Sequence, residues 1–179
     1  MKPLEPPDTF HAEAAEGWLE LGNHIQAGAE LDQIAPGRWA HPDVLELRWH
    51  VYAAAKKWET ALEIASALIQ LVPEHQAGWV HRSYCLNELK LTAEARDNLL
   101  PIVAKFPDDA TIRYDLACYE CKLGGVDQGR IWLENAFRIG DSRRMKQAAL
   151  NDPDLARLWK SLRIRVVVQT LPNRFQESL

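Results

Sequence analysis

The sequence has no long apolar run. The first ten residues, MKPLEPPDTF, contain none, so no secretory signal is expected. Runs such as the VVV of 166–168 are far too short to cross a membrane. Cysteine is scarce. There are three, an odd number without a signal, which fits a reducing compartment better than a disulfide framework. A cytoplasmic protein with no membrane partner is expected. No stretch alternates polar and apolar residues for long enough to build a sheet. G-x-S-x-G, H-E-x-x-H and a glycine-rich phosphate loop are all missing. The six histidines are scattered and the carboxylates belong to solvated helix faces. No catalytic residue, cofactor or metal is expected. His50 and His81 could approach one another, but a metal there would lack a third ligand.

Composition is otherwise that of a globular chain, 47% apolar and 26% charged over 179 residues, with an unusual seven tryptophans. The net charge of −4 hides an asymmetry. Residues 1–141 carry 13 Lys/Arg against 22 Asp/Glu, whereas residues 142–179 carry 8 against 3. The acidic body excludes general nucleic-acid binding, which needs a cationic footprint.

What is present is a period of 34 residues. Ala27, Ala61, Ala95 and Gly129 form one column of small residues. Ala15, Trp49, Ser83 and Ala117 form a second, small except at Trp49. Ile34, Leu68, Ile102 and Ala136 form an apolar third. Each unit reads as two helices, with apolar residues at i, i+3, i+4 and i+7, around a short break: GN at 22–23, KK at 56–57, LKLT at 89–92 and GG at 124–125. Pro42 suits a first helical position, Thr92 and Asp108 suit N-caps, and Pro73 and Pro107 separate units.

This spacing of aromatic, small, bulky and proline positions resembles the tetratricopeptide repeat. The third unit shows it best, with Trp79, Ser83, Leu86, Ala95, Leu99 and Pro107. The resemblance implies an all-α fold: a right-handed α-solenoid of about four helix-turn-helix repeats (8–41, 42–75, 76–109 and 110–141). A seven-residue extension (1–7) precedes them. A C-terminal capping helix pair (142–165) follows, with Met145, Ala148 and Ala149 on one face and Asp152 capping the second helix; a tail (166–179) ends the chain. Trp49 stands in a small column while Ala65 stands where other units have Leu31, Leu99 and Leu133. A volume-conserving swap across the helix pair is expected.

By resemblance to the family, the concave wall would carry four sets of residues. The first is Ala12, Glu46, Val80 and Tyr114; the second is Glu16, His50, Tyr84 and Cys118. The third is Leu19, Ala53, Asn87 and Cys121; the fourth is Glu20, Ala54, Glu88 and Lys122. Such a groove is acidic at its start and aromatic further on, with Asn87 placed to bond a partner's backbone. The carboxylate clamp of chaperone-binding relatives is not reproduced, since its positions hold Ala12, Glu16, His50, Ala77 and His81.

The expected function is a non-enzymatic protein-interaction module, a scaffold or adaptor that takes a basic-apolar segment of a protein or peptide. Alternatives are a small repeat-type chaperone, or a self-associating protein whose basic tail (Arg163, Arg165, Arg174) docks in the groove or links a homodimer. A thiol redox or metal protein using Cys118 and Cys121 is a weaker alternative. Redox C-x-x-C motifs place the first cysteine at a helix N-terminus, and Cys118 falls about ten residues into its helix.

Overall fold

A computed structural model describes residues 2–161. Nine α-helices precede a further helical segment at 156–161 among them: α1 (Asp8–Glu20), α2 (His24–Leu31), α3 (Pro42–Ala54), α4 (Trp58–Leu71), α5 (Gln76–Glu88), α6 (Thr92–Leu99), α7 (Ala110–Leu123), α8 (Val126–Ile139) and α9 (Ser142–Asn151). There is no strand among the described residues, and no described helix is long and apolar enough to cross a membrane. The proposed tail and the end of the expected cap, 162–165, lie outside them.

The period is visible in the backbone. First helices begin at Asp8, Pro42, Gln76 and Ala110, and second helices at His24, Trp58, Thr92 and Val126. Every step is 34 residues. Between the helices of each pair one residue adopts the left-handed conformation: Gly22 (φ 74°), Lys56 (φ 56°), Lys90 (φ 68°) and Gly124 (φ 94°), again in step. That conformation reverses the chain within two residues. Glycine takes it without steric cost, whereas a lysine there is strained.

Local chemistry sets the helix starts. The Asn23 side chain accepts from the Gln26 amide and caps α2, and Pro42 occupies the first position of α3. Two expected caps are corrected. Asp109, not Asp108, caps α7, its carboxylate accepting from Ile112 N at 3.0 Å. Thr92 is already the first residue of α6, and its hydroxyl donates instead to Asn87 Oδ1. Asp109 wins because its extended backbone aims its carboxylate at the amide three residues on.

Two compact units result, one ending at Asn98 and the other beginning at Leu99. In the first, α1 packs on α2, α2 on α3, α3 on α4 and α4 on α5. Its small columns meet where helices cross: Ala15 and Ala27 are fully buried, and Ser83 Oγ donates to the carbonyl of Ala95 at 2.7 Å. Leu31, Ile34 and Val44 extend that cluster. Each fully buried Leu, Ile or Val contributes about 1.5–3 kcal/mol. Trp49 and Ala65 share a second cluster with Ala61 and Cys85, as the proposed exchange of volumes requires. The segment before α1 is also structured: Leu4 packs on the first cluster, and Lys2 O lies 3.0 Å from His41 Nε2.

In the second unit α7 pairs with α8. Gly129 makes the close approach possible, because a Cβ there would lie 2.6 Å from Cys121 Sγ and 3.0 Å from Ala117 O. The cap takes the form of α9, a single 3₁₀ turn (Pro153–Leu155) and a helical segment at 156–161. Asp152 caps the turn by accepting from Asp154 N. Ala149, Leu155 and Leu158 are buried, and the Trp159 indole donates to Ala149 O. Ala148 is exposed, contrary to expectation, because the inward stripe runs through Met145 and Ala149 one turn apart.

Candidate functional site

The first unit carries a concavity of about 990 Å³. Helices α1, α3 and α5 supply most of its wall. Of the expected groove residues, Ala12, Glu16, Leu19, Glu20, Glu46, His50, Ala53, Ala54 and Tyr84 line it. They come together because residues four apart on α1 and α3 share a face and the two helices present that face at equivalent positions.

Its chemistry is one-sided. Glu13, Glu16, Glu20, Asp43 and Glu46 line it, and no Lys or Arg among the described residues does. One end is aromatic. Trp49 and Trp58 both meet the exposed Tyr84 edge-on, with ring centroids 6.2 and 5.7 Å apart. The helix register did not indicate Trp49, Trp58, Leu47, Glu13 or the N-terminal Pro3 and Leu4 as lining residues. Trp58 belongs to a second helix, and Pro3 and Leu4 precede the repeat altogether.

Three expected positions in this unit are not part of the wall. Asn87 is buried, and its side-chain oxygen accepts from Thr92. Val80 and Glu88 are half-buried on α5 outside the lining.

At the floor a second constellation forms. Glu46 and His50, one turn apart on α3, meet His81 of α5. One ligand atom from each lies within 4.8 Å of the others. His81 Nε2 faces Glu46 Oε1 at 3.8 Å, longer than a hydrogen bond, and is buried without a hydrogen-bond partner among the described residues. The Trp49 ring stacks on His81 at 3.7 Å and 10°. His81 beside it holds the Glu46 carboxyl below its ordinary range, against the opposing effect of burial. Burial, then the neighbouring His81, lowers the pKa of His50. Glu46 is a third donor group beside the histidine pair, which was expected to lack one.

The second unit gives a different picture. The expected groove residues of α7 are covered by the chain's own cap. The Tyr114 hydroxyl donates to Asp152 Oδ2 at 2.8 Å, and the Cys118 thiol points at the same oxygen at 3.7 Å. Lys122 Nζ pairs with Asp154 at 3.2 Å, and Arg157 donates to Lys122 O. Cys121 turns away from this face altogether and packs against Gly129 of α8. Tyr114, Cys118, Cys121 and Lys122 therefore form no open wall.

The thiols are poorly suited to redox work. Cys85, Cys118 and Cys121 are free and buried. Burial first, then the Asp152 carboxylate, pushes the Cys118 thiol far up; burial and Glu120 push Cys121 up to about 11. A thiolate nucleophile needs the opposite environment.

No protein-family model matches the sequence, and no curated protein is similar to it at a significant level. Solved structures are similar in fold. MamA residues 41 to the end from Desulfovibrio magneticus RS-1 superposes with a TM-score of 0.65 at 18% identity, covering 78% of each chain. A MamA RS-1 double mutant gives 0.65 at 17% identity over 91% of this chain and 98% of that one. MamA of AMB-1 gives 0.61 at 13% identity over 96% and 97%. At such identities the likeness establishes an all-α helical-repeat fold.

Proposed function

We propose that this chain is a tetratricopeptide-type interaction module whose first unit binds a protein segment carrying one or two basic residues beside an apolar anchor. The observation that carries this reading is the concavity, with five carboxylates, no Lys or Arg among the described residues, and an aromatic end formed by Trp49, Trp58 and Tyr84. An apolar anchor buried against those rings contributes about 1.5–3 kcal/mol. Each solvent-exposed ion pair adds roughly 0–1 kcal/mol. Ordering an extended segment offsets much of this, which places the affinity near micromolar, about −8 kcal/mol.

The module is non-catalytic in this reading, and the partner segment comes from another protein. Fluorescence polarisation with a panel of labelled peptides tests it. Peptides pairing Arg with Leu or Phe should bind, and their Glu-for-Arg counterparts should not. Binding should weaken at least tenfold in Glu16→Lys/Glu20→Lys and in Tyr84→Ala, and should fall with added salt. Equal binding of both charge classes, or full affinity in the charge-reversed variant, overturns the proposal.

A further inference from the structure

We infer that Glu46, His50 and His81 form a binding site for a divalent transition-metal ion of the zinc type. Three features converge on it. The donor set is one carboxylate and two imidazoles, which suits zinc and its first-row neighbours. The three ligand atoms already lie within 4.8 Å of one another. Tetrahedral zinc holds such ligands about 3.3 Å apart, so side-chain movements of roughly an ångström close the site. Finally, His81 Nε2 is a buried polar atom with no hydrogen-bond partner among the described residues, and a bound cation removes that deficit.

The surroundings favour the ligand state. Glu46 and His50 share one face of α3, so a single rigid helix fixes two ligands. Trp49, stacked on His81, holds the plane of the third. Trp49 is a positioning residue here and does not touch the ion. Because Glu46 and His50 also line the concavity, the remaining coordination position opens toward it and takes water.

Isothermal titration of the untagged full chain with ZnCl₂, after stripping with EDTA, tests the site. One ion per chain is expected. Loss of a supporting outer-shell group already costs about 10–100-fold in metal affinity, so loss of a direct ligand should cost about 100-fold or more. His50→Gln and Glu46→Gln should each do so, whereas His24→Gln should bind as the wild type does. His50 is exposed, so its variant should retain the far-ultraviolet circular dichroism of the parent. Co²⁺ should give tetrahedral absorption bands that vanish in His81→Gln. Absence of stoichiometric binding at up to about 100 μM zinc overturns the inference, as does binding undiminished in His50→Gln. Neither result bears on peptide binding, which the polarisation assay measures in EDTA.

Discussion

Trp49 offers the sharpest test of how the repeat accommodates its irregular unit. It is 7% exposed, its indole N–H points at Cys85 Sγ at 3.3 Å, and it shares a cluster with Ala61 and Ala65. Trp49→Ala should cost about 3–5 kcal/mol, as truncation of a buried Trp does. Ala65→Leu alone should cost about 1–3 kcal/mol, since Ala65 is fully buried and the added atoms meet Trp49. If the two effects were independent the double variant would lose about 4–8 kcal/mol. If the leucine introduced in place of Ala65 fills the volume that Trp49 vacates, it recovers about 1.5–3 kcal/mol of burial and incurs no overpacking. The double variant should then lose only about 1–3 kcal/mol, the remainder being the lost His81 stack and sulfur contact. The coupling should be about 3–5 kcal/mol, well above the roughly 0.5 kcal/mol within which distant sites add. Urea denaturation of all four proteins by circular dichroism, with hydrogen exchange to place the change on α3 and α4, measures it. Additivity within about 0.5 kcal/mol would refute the exchange of volumes.

Three further outcomes are expected. Lys90→Gly should raise stability by about 0.5–1 kcal/mol, because it relieves a left-handed lysine, whereas Gly124→Ala at the equivalent turn should lower it by about 1–2 kcal/mol; like signs in thermal melts would contradict this. All three native thiols should react with a disulfide reagent at pH 8 at least about 100-fold more slowly than in urea, and one thiol reacting at the unfolded rate would sink the burial argument. Burial, then Asp109 and Asp152, pushes the half-buried Asp115 up to about 7, so the native state binds its proton more tightly than the unfolded state does. Its contribution to stability therefore rises as pH falls from about 7 to 4, and Asp115→Asn should stabilise by about 1–2 kcal/mol at pH 8 and little at pH 4; a pH-independent effect would count against it.

The 34-residue columns located every helix pair because small residues mark where helices cross, and that requirement is local to each unit. The family resemblance, carried over position by position, named Glu16, Glu20, Glu46 and His50, which line the concavity of the first unit. The bond from Thr92 to Asn87 was not legible, because repeat position does not say which polar side chain its own neighbour will satisfy. The strained Lys56 and Lys90 carry no compositional mark, since lysine is common in exposed turns. The cover over Tyr114 was not legible because Asp152 lies 38 residues downstream and meets it only through the fold of the cap. The proposed metal constellation was half legible: the approach of His50 to His81 was expected from neighbouring units, but Glu46, one turn before His50 on α3, was not singled out beside them.

The cap on α7 has a consequence for self-recognition. Asp152 and Asp154 present carboxylates to a tyrosine hydroxyl and a lysine. That segment is thus an acidic strap with an apolar anchor in Leu155. On the second unit, therefore, the face that a repeat wall would offer is already occupied by a segment of the same chain, held there by two carboxylates and a buried leucine.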